Sequence, residues 1–172
     1  MSYDNSDLVR AFPASVQDDM LRVVAMLPQL SIGTETYVVS VERETLFIPY
    51  RIYHDPALID RARLTPLQEQ LLDCLLTRHC SGFIRERYLR NIVSSDHRWI
   101  APFVIQLAGE YVIEILEVIR NNVDKLSPRL YREFLNDNPY LSLSLSSESS
   151  VTGTATIAGT PREDCGDRPT FR

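Results

Sequence analysis

"LTPLQEQLLDCLLTRHCSGFIRERYLRNIV", residues 64–93, carries the clearest structural signal in this 172-residue chain. Thr65 and Gln68 are spaced as a capping box, each side chain accepting from the other's backbone N–H. Pro66 takes the first helical position, where a missing N–H costs nothing. Leu64, Leu67, Leu71, Leu72, Leu75 and Leu76 then share one face of the helix that follows. Gly82 and its neighbours break that helix. A second begins with "FIRERYLRNIV", its apolar face made by Ile84, Tyr88, Leu89, Ile92 and Val93. Two antiparallel helices joined by a short turn are the expected unit.

The second helix carries three arginines in "GFIRERYLR", residues 82–90. At about 100° per residue, Arg87 and Arg90 point away from the apolar face, and Glu86 stands four residues before Arg90, within pairing reach. Arg85 falls near the middle of the apolar face. A nucleic-acid recognition helix turns its cations outward to a groove. An inward arginine needs a carboxylate or carbonyl, because an unpaired buried charge costs several kcal/mol. The pattern reads as architecture.

Acids that can meet Arg85 lie downstream. Glu110, Glu114 and Glu117 recur along an otherwise apolar segment that includes Tyr111, Val112, Ile113, Ile115, Leu116, Val118 and Ile119. Three readings fit them: a solvated stripe on a mostly buried helix, pairing of Glu110 or Glu114 with Arg85, or a two-carboxylate site. The last lacks the repeated Glu-x-x-His motifs of di-metal bundles. The stretch 97–122 contains Pro102 and Gly109, so it forms one kinked helix or two consecutive ones.

Outside this centre, "FPASVQDDMLRVVAML" predicts a helix capped by Ser15 and ended by Pro28. "TYVVSVERETLFIPYRIYH" predicts a hairpin with strands at about 36–42 and 45–53, Pro49 favouring an edge. Asp55–Pro56 restarts helix, and Ser127–Pro128 opens a last helix that closes at Pro139. From 139 to 172 the chain is rich in Ser, Thr and Gly and is expected to be a flexible tail, with Leu141, Leu143 and Leu145 as the one strand-like alternation. Cys165 lies in it, with no implied role. The expected organisation is one mainly α domain over about 8–138 with a small N-terminal β-hairpin.

Charge narrows the partner classes. The total is −5, but residues 61–100 carry net +3 between segments of net −5 and −2, a layout suited to internal pairing. An acidic total disfavours a nucleic-acid or anionic-membrane surface. No apolar run is long enough to span a bilayer, and no signal peptide pattern opens the chain. Cys74, Cys80 and Cys165 are too few and too irregular to suggest a disulfide framework, so a cytoplasmic protein is expected. Cys74, His79 and Cys80 have no zinc-like spacing, and no phosphate loop, dinucleotide motif or nucleophile elbow occurs. No catalytic, metal or cofactor residues are nominated.

The segment "LLDCLLTRHCSGFIRERYLRNIV" resembles a single HEAT-type repeat. It has a leucine-rich first helix and a short turn. Ile84–Arg85 stand where such repeats carry Val–Arg, and Tyr88–Leu89 follow one turn later. "WIAPFVIQL" resembles the proline-bent first helix of another repeat, with Pro102 at the bend; the likeness covers Leu64 to Asn122. It implies a protein-binding or scaffolding role, with the N-terminal helix and hairpin as a cap. The favoured expectation is therefore a non-enzymatic interaction module, its partner a protein, with homo-oligomerisation open. The alternatives are a DNA-binding regulator using 65–93 as a helix-turn-helix, for which Arg78, Arg87, Arg90 and Arg98 would form the contact surface, and an enzyme of unrecognised type.

Overall fold

A computed structural model of the chain describes residues 5–29, 35–110 and 112–141. The fold is mainly helical with one small antiparallel hairpin. The helices are α1 (Gln17–Val24), α2 (Pro66–Leu76), α3 (Gly82–Ile92), α4 (Ala101–Ala108), α5 (Ile113–Asn121) and α6 (Pro128–Asp137), and the strands are β1 (Thr36–Val41) and β2 (Glu44–Pro49). Short 3-10 turns link them, the longest being Asn5–Ala11. The elements thus begin slightly before the expected domain boundary at residue 8. Beyond Leu141 the tail, including Leu143, Leu145 and Cys165, lies outside the described residues.

Local chemistry accounts for most boundaries. The capping box at α2 is complete, with the Thr65 hydroxyl accepting from Gln68 and the Gln68 side chain accepting from Thr65 N–H. Ser127 caps α6 by accepting from Leu130 N–H. The hairpin turn is Glu42–Arg43, both at positive φ (52° and 70°), the mirror-image turn whose twist matches paired strands. Val39, Val41, Leu46 and Ile48 face the core across it.

The structure differs from the sequence reading at three places and decides between the two alternatives left at a fourth. Ser15 does not cap α1: residues Ala14–Val16 form a 3-10 turn first, and Ala14 N–H is satisfied from β2 by Glu44 Oε2 at 2.7 Å. The segment after Asp55 makes only a 3-10 turn, although Asp55 does accept from Ala57 N–H. Strand β2 stops at Pro49 rather than 53, because Ile52 leaves the hairpin and bridges His79 in parallel, donating to Arg78 O and accepting from Cys80 N–H. Finally, 97–122 is two helices. Pro102 sits in the first turn of α4, where it is tolerated, and the break comes at Gly109 and the residues after it.

The core gathers α1, α2, α3 and α4 around Met20, Leu72, Leu75, Leu89 and Phe103, all fully buried. Phe12, on the N-terminal segment, stacks on Phe103 (centroids 5.4 Å) and meets Trp99 edge-on (5.6 Å), locking that segment to α4. On the other side Asn138, buried at the end of α6, treats β1 as a strand partner would. Its Oδ1 accepts from Ser40 N–H at 2.8 Å and its Nδ2 donates to Ser40 O at 2.7 Å. One side-chain amide thereby covers part of an open sheet edge. Helix α5 is less buried than its composition suggests: only Ile115 and Val118 are buried, while Ile113 and Leu116 face solvent.

Candidate functional site

Three arginines converge on one carboxylate where α2, α3 and the segment after Ala108 meet. Arg78 follows the end of α2, and its Nη2 lies 2.8 Å from Glu110 Oε1. Arg51, beyond β2, places Nη1 at 3.0 Å from the same oxygen. Arg85, on the buried side of α3, brings Nε to 2.9 Å from Glu110 Oε2. This last contact is an ion pair without hydrogen-bond alignment, since neither atom makes a hydrogen bond. Glu110 is itself only 10% exposed through its side chain.

The arginines are held by carbonyls as well as by charge. Arg85 Nη1 donates to His79 O and Cys80 O, both at 2.8 Å, stapling the α2–α3 turn. Arg78 donates through Nε to Pro49 O (3.3 Å) and through Nη2 to Tyr50 O (3.0 Å). These carbonyls lie past the C-terminal end of α2 and at the end of β2. They offer negative dipole where three cations share one acid. Burial lowers the Arg85 pKa, with Glu110 opposing and Arg51 and Arg78 adding to the lowering.

Of the residues nominated from sequence, Arg85 and Glu110 are brought together, and Glu114 is not: it is exposed on α5. Arg78, nominated as a surface contact, is instead 0% exposed. The physical reason is that it lies beyond the last turn of α2, where the backbone leaves helical geometry and helix periodicity no longer sets its direction. Arg87 is exposed, Arg90 pairs with Glu86 one turn back, and Arg98 bridges Glu42 (3.4 Å) and Glu133 (3.0 Å). A continuous basic surface of these four does not exist. Arg51 was missed, and its only sequence signal is a cation between aromatic and apolar residues in "PYRIY".

A second polar centre is a cleft of about 590 Å3 lined by Arg61, Glu69, Gln70, Asp73, Asn91 and His97. Asp73 at its wall accepts from Arg61 Nη2 at 2.7 Å and from Asn91 Nδ2 at 2.8 Å. Burial raises its pKa, against the lowering effect of those two bonds. With both oxygens engaged, Asp73 acts as a brace between α2, α3 and the turn at Arg61–Arg63. Among the described residues no group of three or more His, Cys, Asp or Glu converges as a metal site. Among them, too, no helix is long and apolar enough to cross a membrane.

His54 and His79 form a third. His54 Nε2 donates to Asn5 Oδ1 (3.1 Å), and Asn5 in turn donates to Pro28 O (3.1 Å). His79 Nδ1 accepts from Ser81 N–H at 2.9 Å. Burial lowers both pKa values below the ordinary 6.5; His79 adds to the lowering at His54, and Arg85 adds to it at His79, where Asp55 and the His54 backbone oppose it. A folded pKa below the unfolded one favours the neutral ring, so stability is full above about pH 6.5 and is lost as pH falls below it. Urea midpoints should therefore drop between pH 7 and pH 5, and His54→Gln should flatten that drop; an unchanged slope would show that His54 does not contribute. Beside them, Cys80 is disulfide-bonded.

No protein-family model, curated protein or solved structure matches the chain.

Proposed function

We propose that this protein is a non-enzymatic interaction module that binds a protein partner through the outer faces of α3 and α5. The reading rests on one observation. Phe83 is 82% exposed on α3, and Ile113 and Leu116 are 70% and 37% exposed on α5, the helix packed beside it. Phe83 stands two residues from Arg85, and Ile113 three from Glu110, so the buried ion cluster anchors the backbone under both. Large apolar side chains on a rigid base suit a binding surface, since little ordering entropy is lost on contact. The helical pair α2–α3 is the HEAT-like unit of this reading, presenting its second helix outward.

The DNA-binding alternative needs a continuous exposed basic patch, and Arg78, Arg90 and Arg98 are spent on internal partners. An enzymatic reading finds no free reacting group at Asp73, which is fully engaged. The test is capture from the native lysate on immobilised protein, with and without nuclease. A protein retained after nuclease and lost on Phe83→Glu supports the module. A complex destroyed by nuclease and unaffected by Phe83→Glu overturns it.

A further inference from the structure

The exposed faces of α3 and α5 are complementary to each other, not merely sticky. The outward side of α3 carries Phe83 and, one turn on, the exposed cation Arg87. The outward side of α5 carries Ile113 and Leu116 with the exposed acids Glu114 and Glu117. None of Arg87, Glu114 and Glu117 makes an ion pair among the described residues, whereas Arg90, further along α3, pairs with Glu86. Beside the exposed apolar groups, α3 thus offers the cation Arg87, over the Tyr88 ring, and the first turns of α5 offer two acids, with the exposed cation Arg120 following only in its last turn.

We infer that the partner at this face is a second copy of the chain, docked by a two-fold axis running along the groove between α3 and α5. This rests on the interaction reading above and names its partner. Such an axis lays α3 of each copy on α5 of the other, so that every contact is made twice. The Arg85–Glu110 ion pair already holds the start of α3 beside the approach to α5. Phe83 of one copy then meets Ile113 and Leu116 of the other, and Arg87 faces Glu114 and Glu117. A partner of one charge sign would satisfy only half of this face; a second copy satisfies both halves.

The size of the face sets the strength. Helix α3 has 11 residues and α5 has 9, so the pair presents a patch roughly 16 Å long and 20 Å wide. That is roughly 320 Å2 of face per copy, below the range of stable interfaces, so the dimer should be weak and dissociate at about 100 μM.

Sedimentation equilibrium of the full chain from about 1 to 200 μM tests this, with circular dichroism to check folding. The expected result is a rise from the 19.7 kDa monomer towards twice that mass. Phe83→Glu and Arg87→Glu should each weaken association at least tenfold without changing the helical signal. Arg87→Glu combined with Glu114→Arg and Glu117→Arg should restore it, a rescue that general stickiness does not produce. A monomer at every concentration, or a dimer indifferent to these variants, overturns the inference. If the chain is monomeric yet captures another protein that Phe83→Glu loses, the dimer is wrong and the interaction reading stands.

Discussion

Replacing Glu110 by alanine should destabilise the fold by about 5 kcal/mol, enough to remove most of the stability of a domain this size. Arg78 and Arg85 have no other acidic partner among the described residues, and both are buried. Without the carboxylate, these guanidiniums remain desolvated near each other and near Arg51, with carbonyl dipoles as their compensation. Glu110→Gln keeps an acceptor but not the charge, and should cost about half as much. Glu114→Ala, on the exposed side of α5, should change stability by no more than about 0.5 kcal/mol. Urea unfolding of the three variants measures the ordering. Equal small losses at 110 and 114 would show that the cluster is not a stabilising node.

Arg78→Ala should cost about 3–5 kcal/mol, because it removes a fully buried stem, takes the Nε donor from Pro49 O, leaves Tyr50 O to Arg51 and takes a cation from Glu110. Arg85→Ala should follow at about 2–4 kcal/mol, and Arg87→Ala at no more than about 0.5 kcal/mol. Three arginines within ten residues of one another thus separate into two classes. Arg78→Met should recover part of the alanine loss by refilling the stem's volume, while the hydrogen bond to Pro49 O stays lost. A double-mutant cycle of Arg85→Met with Glu110→Gln isolates their coupling from the shared cluster. If Arg78→Ala and Arg87→Ala have equal effects, Arg78 is not buried as described.

The contrast between Arg85 and Arg78 marks where sequence reasoning held its reach. Arg85 sits inside a regular helix, so its direction follows from 3.6 residues per turn and the positions of Tyr88, Leu89 and Ile92. That periodicity also pointed to an acid from the next segment, without distinguishing Glu110 from Glu114. Arg78 lies in the turn after α2, where no period operates, and its burial depends on the arrival of Ile52 alongside His79. Arg51 comes from still further away in sequence.

By itself, the sequence determined the elements whose causes are local. The capping box at Thr65–Gln68, the break before Gly82, the cap at Ser127 and the hairpin around Glu42–Arg43 each rest on side chains and dihedrals within a few residues. It left open whether 97–122 bends or divides, because Pro102 and Gly109 permit both. Tertiary structure decided what depends on residues far apart in the chain. Glu44 caps the turn at Ala14, Asn138 covers β1, and Arg51, Arg78 and Arg85 share Glu110 across separations no local pattern encodes. It also decided that α5 buries only one narrow face. An apolar composition states how much surface a helix can hide, but how much it does hide is set by the neighbours that reach it, and these leave Ile113 and Leu116 exposed.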